Sequence, residues 1–204
     1  MADGAYVFAA PFVARLRGAV DVDGKLPRAL VALGLPPAGD VVLLGDGDGW
    51  QAAHLAAAGI AVRSEPVTEP LRLDLPDASL DAVVSLWPGF RGVDPAARAE
   101  ADRVLRPGGR LLVIHDYGRD DVSALRAADA PAYVSWSRRD GPYLRDGGFR
   151  IHVLHCFWTF ASLEEAAMIL GEAFGERGVA AGAALRRPRL SWNVAIYHRT
   201  RPGP

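Results

Sequence analysis

Three glycines at alternate positions follow a short apolar run, and this spacing can bring a ligand close to the backbone. The run is Val41–Leu44, and the glycines are Gly45, Gly47 and Gly49. Glycine lacks a Cβ atom and adopts positive φ, so such a loop permits close approach. A helical pattern begins directly afterwards, and its first N–H groups would face a nucleotide-like or carboxylate-bearing group. We therefore predict a ligand site here, against the alternative of a turn needed only for folding.

A second group of chemically competent residues, His115-Asp116-Tyr117, follows the apolar run 110–114. Histidine is the usual general base near neutral pH. Asp116 could orient the imidazole or accept the proton itself. The alternative is that His115 only hydrogen-bonds a loop carbonyl.

Composition narrows the functional class. The chain has 204 residues, of which 50% are hydrophobic, and a formal net charge of −1, which gives no indication of a nucleic-acid or membrane partner. No run approaches ~18 consecutive apolar residues, and the N-terminus lacks a signal-peptide pattern.

Cys156 is the single cysteine, so we expect a buried thiol in a reducing cytoplasm. Arginine dominates over lysine, which favours a bacterial source. His152, His155 and His198 show no metal-ligand spacing, so no metal site is predicted.

Hydrophobic periodicity predicts strands that alternate with helices, which is typical of a parallel α/β sheet. A helical lead-in over residues 1–39 precedes this pattern. The predicted strands are 41–44, 60–64, a stub at 71–73, 80–86, 110–114, 149–157 and 191–198. The predicted helices are 51–58, 95–105 and 162–174, with Ser162 as the N-cap of the last.

One crossover helix is missing from this pattern. Between Pro66 and Pro70 the chain has no room for the helix that should lead into a third strand. We therefore expect this region of the sheet to be shortened.

Several segments in the right order resemble the class I S-adenosylmethionine-dependent methyltransferases. The G-x-G-x-G spacing of the loop is similar to their glycine loop. The sequence LPDASLDAVVSLW at 75–87 resembles the segment that joins their strands three and four. The sequence at 94–114, which contains RVLRPGG, looks like their helix D, the following turn and strand five. The resemblance covers residues 38–115 well and 149–200 loosely.

The resemblance implies a fold as well as a cofactor. It implies a doubly wound, mostly parallel, seven-stranded Rossmann-like sheet whose last strand is antiparallel, here shortened around helix B and strand three. We expect a single domain over 1–204. Its parts are a lead-in or cap at 1–39, a cofactor-binding half at 40–115, an acceptor-side loop or lid at 116–148 and C-terminal strands and helix at 149–204.

The glycine loop is the first implied contact with S-adenosyl-L-methionine. By resemblance, the three loop glycines lie against the methionine and ribose parts of the cofactor. The family usually has an acid at the position of Leu43, which cannot accept a hydrogen bond. Asp46 and Asp48 could replace that acid, or they could repel the carboxylate of the cofactor.

Other cofactor contacts are implied farther along the chain. Glu65 ends the second predicted strand, where an acid would bind the ribose hydroxyls. Asp74 is a candidate partner for the adenine amino group, although a turn residue would look the same. Trp87 follows the strand at 80–86, beside the implied position of the methyl group, and could pack on a cationic sulfonium. An apolar plug is the alternative for Trp87.

The acceptor side is implied by residues after the strand at 110–114. Methyl transfer to oxygen or nitrogen requires removal of a proton, which His115 would assist, while alignment supplies much of the rate. We expect Tyr117, Trp136 and Arg138 to contact the acceptor, because long aromatic and basic loops commonly carry function.

These observations predict methyl transfer from S-adenosyl-L-methionine to a small molecule, by a monomer or homodimer that binds neither nucleic acid nor membrane. The alternative is a non-catalytic binding or scaffold module of the same fold with a degenerate cofactor site. A nicotinamide-dependent oxidoreductase is disfavoured, because its G-x-G-x-x-G fingerprint requires glycine where this chain has Trp50.

Overall fold

A six-stranded sheet organises the chain, with the strand order β2-β1-β3-β4-β6-β5. The computed structural model describes residues 10–46, 49–87, 93–126 and 134–203, with side chains from residue 14 onward. The strands are β1 Val41–Leu44, β2 Arg63–Glu65, β3 Leu80–Leu86, β4 Leu105–Asp116, β5 Arg150–Thr159 and β6 Arg189–Thr200. The first four strands pair in parallel, and β6 is antiparallel to both β4 and β5. The predicted α/β class and the antiparallel last strand are confirmed.

Helices cover both faces of this sheet. They are α1 Ala10–Ala19, α2 Lys25–Ala32, α3 Trp50–Ala57, α4 Pro95–Val104, α5 Asp121–Leu125, a π-helical turn Pro142–Asp146, α6 Leu163–Phe174 and α7 Glu176–Ala184. Helices α2, α3 and α6 bury apolar residues on one face, and α4 and the π-helical turn do so on the other. Residues on neighbouring positions of a strand point to opposite faces. The strands β1 and β3 are therefore apolar at nearly every position.

The expectation of seven strands is wrong in one place, the stub at 71–73. In the described residues this segment is not a strand, and Leu71 and Leu73 are instead buried on the α4 face. The Leu73 N–H donates to the Glu100 carboxylate (2.9 Å), and its carbonyl accepts from Arg103 (2.9 Å). Side chains of α4 thus satisfy the backbone groups that a neighbouring strand would otherwise bind. No helix lies between β2 and β3, as the short spacing predicted.

The predicted N-cap at Ser162 is confirmed. Ser162 precedes α6, and its Oγ accepts the N–H of Glu165 (3.0 Å). Asp94 caps α4 by accepting from the backbone of Ala96 and Ala97. Both caps satisfy N–H groups that lack partners in the first turn of a helix.

The lead-in is attached to α3 through a buried carboxylate. Asp21 accepts the N–H groups of Lys25 (2.8 Å) and Leu26 (3.0 Å), and so caps α2. Nε2 of His54 on α3 lies 3.3 Å from the same carboxylate. Arg17 stacks over the Trp50 ring at 5.1 Å, which adds a second contact with α3.

Within the described ranges, each helix is too short or too polar to cross a lipid bilayer.

Candidate functional site

The glycine turn lies at the point where the chain order of the sheet reverses. β2 pairs with one edge of β1 and β3 pairs with the other. The chain therefore continues from β1 to one side of the sheet and later returns to the other side, which leaves a crevice at the carboxyl end of β1. Ligands of open α/β sheets bind at such points. Gly45 has φ 83°, and its N–H donates to the Glu65 carbonyl (3.0 Å). The structure therefore brings the glycine turn and Glu65 together, as predicted; Gly47 and Asp48 lie outside the described residues.

Asp46 caps the helix that follows the turn. Its carboxylate accepts the N–H groups of Gln51 (3.0 Å) and Ala52 (2.9 Å). Gly49, with φ 73°, stands at the N-cap position and offers no side chain. A carboxylate is stabilised at the positive end of the helix dipole. The N–H groups of Gln51 and Ala52 are therefore already hydrogen-bonded to Asp46. The turn thus presents a negative charge to a ligand.

Leu43 contributes nothing polar to this site. It is completely buried among apolar side chains on the α3 face of the sheet, together with Leu55 of α3. Its role is therefore packing.

The two other predicted cofactor acids lie in different settings. Glu65 is half-buried at the end of β2, opposite Leu44 in the strand register, and its Oε1 lies 3.1 Å from Nε of Arg63. Asp74 is exposed in the connection between β2 and β3. Arg103 binds the carbonyls on both sides of it, at Leu73 (2.9 Å) and Leu75 (2.8 Å). The backbone around Asp74 is thus anchored to α4.

Trp87 occupies the carboxyl end of β3, next to the start of α3. Its φ of 54° is left-handed, which is rare for a bulky residue and often marks a functional position. Its backbone N–H donates to the Ile114 carbonyl (2.9 Å), which ties it to β4. Gln51 Nε2 donates to the Leu86 carbonyl (3.4 Å), which links the beginning of α3 to the same edge.

Asp116 is buried and binds three side chains. Its Oδ1 accepts the indole N–H groups of Trp87 and Trp192, each at 3.0 Å. Its Oδ2 forms an ion pair with Arg126, which is also buried. The two indoles stack with centroids 5.4 Å apart and an interplanar angle of 19°. These contacts make Asp116 a structural anchor of the Trp87 ring, with both carboxylate oxygens engaged.

His115 points to the opposite face of the sheet from Asp116, because adjacent strand residues alternate. It is 3% exposed and lies among aromatic rings. Its centroid is 4.9 Å from that of Trp136, 6.0 Å from Tyr143 and 6.5 Å from Tyr197. The structure thus brings His115 and Trp136 together, and it separates the imidazole from the Asp116 carboxylate. The suggestion that Asp116 orients His115 does not fit this arrangement.

Sequence reasoning missed Tyr143 and Tyr197 beside His115, and Trp192 and Arg126 beside Asp116. Tyr143 and Tyr197 stack at 3.8 Å. Burial raises the pKa of Tyr197 well above its ordinary value, so its phenol stays neutral near pH 7. The alternation along the last strand assigns Trp192 to the buried face, but it carries no information about its partner.

Tyr117 and Arg138 are the remaining predicted acceptor residues. Tyr117 is half-buried, and its hydroxyl accepts from Arg119 (3.0 Å). Arg138 is exposed and forms two hydrogen bonds with Asp140, at 2.9 and 3.2 Å. Its charge is therefore already compensated. No cluster of three or more His, Cys, Asp or Glu side chains that could hold a metal occurs in the part of the chain that the structure describes.

Known proteins resemble this chain in structure rather than in sequence. No family model and no curated protein matches it. A proposed methyltransferase from an antibiotic biosynthesis pathway of Anabaena variabilis superposes with a TM-score of 0.54 and 15% identity, over 90% of this chain and 99% of that chain. A proposed type II methyltransferase from Anaeromyxobacter dehalogenans gives a TM-score of 0.51 and 19% identity, over 89% of this chain and 97% of that chain.

The chain therefore has the class I methyltransferase-like fold that its sequence segments suggested. Identity at this level shows the fold alone, and fold does not imply function.

Proposed function

We propose that this protein transfers a methyl group from S-adenosyl-L-methionine to a small-molecule acceptor. The observation that carries the proposal is the convergence of the glycine turn, Glu65 and Trp87 at the carboxyl ends of three adjacent strands. This combination offers close backbone approach, a carboxylate and an aromatic ring at one sheet edge.

The described residues fit the parts of the cofactor. Gly45 and Gly49, with Gly47 between them, would lie against its methionine and ribose parts. Glu65 would accept hydrogen bonds from the ribose hydroxyls, and the negative Asp46 would face the ammonium group rather than a phosphate. The exposed Asp74, on its anchored backbone, would accept from the adenine amino group.

Trp87 and His115 lie at the carboxyl ends of the neighbouring strands β3 and β4, with their side chains on opposite faces of the sheet. S-adenosyl-L-methionine supplies an electrophilic methyl group on a sulfonium, which Trp87 would border. His115 would take the proton from the acceptor oxygen or nitrogen, while the acceptor would gain the methyl carbon and the carbon–sulfur bond would break to leave the thioether S-adenosylhomocysteine. His115 is 3% exposed and is enclosed by the rings of Trp136 and Tyr143. Tyr117, Trp136 and Arg138 would contact the acceptor on this side.

Calorimetric titration with S-adenosyl-L-methionine and S-adenosylhomocysteine tests the proposal. We expect micromolar binding, equivalent to about 8 kcal/mol. Glu65→Gln should weaken both ligands by roughly tenfold, because it removes one charge-assisted hydrogen bond. Glu69→Gln is the matched control, since Glu69 is an exposed acid in the loop after β2 and its loss should leave both affinities unchanged.

A non-catalytic module is the second candidate, and two observations favour it. Leu43 is buried where the family has an acid, and Asp46 occupies the first amides of α3. Under this alternative neither ligand produces heat or thermal stabilisation at millimolar concentration. That outcome would reject methyl transfer and direct the search towards protein partners.

A further inference from the structure

Two stacked indoles share one carboxylate oxygen at the proposed methyl site. Trp87 and Trp192 both donate their Nε1–H to Oδ1 of Asp116, each over 3.0 Å. Trp192 is 4% exposed, whereas Trp87 is only half-buried. The pair is therefore anchored inside the protein and reaches solvent through the Trp87 ring.

The two oxygens of the Asp116 carboxylate have different partners. Arg126 binds the other oxygen of Asp116, and both side chains are at least nine-tenths buried. Oδ1 accepts the indole N–H groups of Trp87 and Trp192. A hydrogen bond to an anion polarises the donor. Both indole rings thus gain electron density on their faces, and this density is what attracts a cation.

The geometry also limits which part of the stack a ligand can reach. Trp192 covers one face of the Trp87 ring at 5.4 Å. The left-handed backbone at Trp87 and its N–H bond to Ile114 hold the residue at the carboxyl edge of β3. Gln51, in the first turn of α3, contacts the same edge through the Leu86 carbonyl. Trp87 therefore follows directly on Leu86, the residue whose carbonyl is hydrogen-bonded to the first turn of α3.

We infer that Asp116, Trp87 and Trp192 form a cation-selective subsite for the sulfonium, with Asp116 as a positioning residue that polarises the indoles. This inference rests on the proposed function. It predicts that the protein discriminates strongly between S-adenosyl-L-methionine, which carries the sulfonium charge, and S-adenosylhomocysteine, which is a neutral thioether of nearly the same shape. The ratio of the two dissociation constants measures this discrimination.

The first experiment measures that ratio by calorimetry in the wild type and in Trp87→Phe. Phenylalanine retains an aromatic ring but loses the N–H and the polarisation. The preference for the charged ligand should fall by roughly three- to tenfold, the range expected for a weakened cation–π contact. Trp158→Phe is the matched control, because Trp158 is a tryptophan on β5 that stacks on Phe174 instead. The ratio of the two dissociation constants in Trp158→Phe should equal that of the wild type.

Two further measurements separate polarisation from folding. Fluorinated tryptophan incorporated throughout the wild-type chain withdraws ring electron density with little change of shape, so the ratio should fall as fluorine atoms are added. The double variant Asp116→Asn with Arg126→Gln removes both buried charges together and leaves no unpaired ion. It should lower the ratio while the circular dichroism spectrum is retained.

The possible failures are distinguishable. If the wild type binds neither ligand, the proposed function is rejected and this inference falls with it. If both ligands bind, but their ratio is the same in the wild type, in Trp87→Phe and in the fluorinated protein, the cation-selective subsite is rejected and the cofactor assignment stands.

Discussion

His115 and Asp116 are neighbours on β4, but their side chains enter different layers of the protein. His115 lies among Trp136, Tyr143 and Tyr197, whereas Asp116 binds Trp87, Trp192 and Arg126. Because adjacent residues of a strand point to opposite faces of the sheet, the two side chains also have different proposed roles. One residue faces the proposed acceptor side, and the other supports the wall of the proposed methyl site.

Replacing the imidazole should impair catalysis without impairing cofactor binding. We expect His115→Gln to reduce the rate of S-adenosylhomocysteine formation by about 10²–10⁴-fold, the usual contribution of a general base. Its affinity for S-adenosylhomocysteine should stay within about twofold of the wild type. His152→Gln, on an exposed position of β5, is the matched control. An unchanged rate in His115→Gln would assign the imidazole a packing role.

Breaking the buried ion pair on one side should destabilise the fold. Asp116→Ala leaves the Arg126 charge buried without its carboxylate, which costs about 3–5 kcal/mol of unfolding free energy. Asp116→Ala combined with Arg126→Met should recover a large part of this loss, because no charge remains buried. Urea unfolding of both single variants and the double variant gives the coupling. A double variant no more stable than Asp116→Ala would show that the indole hydrogen bonds dominate.

The contact between α4 and the connection from β2 should depend on pH. The hydrogen bond from Arg103, assisted by the Leu73 N–H, lowers the pKa of Glu100 from 4.5 to about 2. A depressed folded-state pKa gives stability that is fully present above the unfolded pKa, near 4.5, and is lost as pH falls through the folded pKa, near 2. The shift corresponds to a contribution on the order of 3 kcal/mol at neutral pH.

Urea unfolding of the wild type and Glu100→Gln at several pH values measures this contribution. The difference between the two proteins should be largest from pH 5 to 7 and should shrink towards pH 2. The exposed Glu69→Gln should show no comparable trend. A difference independent of pH would mean that the Glu100 side chain acts by shape and not by charge.

Cys156 should be almost inert in the folded protein. Burial, more than the nearby Asp21 charge, raises the pKa of its thiol from 9.0 to about 12. The reactive thiolate is then about a thousandfold scarcer than in the unfolded chain. Labelling with iodoacetamide at pH 8 should therefore be very slow until urea is added. Rapid labelling without urea would contradict both the burial and the raised pKa.

Local features of the fold were readable from the residues themselves. Val41–Leu44 is a continuous apolar run and Leu80–Leu86 is apolar at most positions, as expected for parallel strands buried on both faces. Ser162 followed by Glu165 marks a helix start through contacts three residues apart. The glycine turn and Glu65 could be assigned to the same edge, because parallel strands align their carboxyl ends.

Only the tertiary structure assigned the partners of the site residues. Asp116 meets Trp192 across 76 positions of the chain, and the periodicity of a strand gives the face of a side chain but not its neighbour. The stub at 71–73 has the composition of a strand, but Glu100 and Arg103 bind the backbone of Leu73 and hold it outside the sheet. The sequence by itself determined the order of the main strands and helices, the glycine turn and the Ser162 cap, because these depend on residues close together in the chain. The number of strands, the separation of His115 from Asp116 and the shared indole pair depended on contacts between distant residues, which form only when the layers pack.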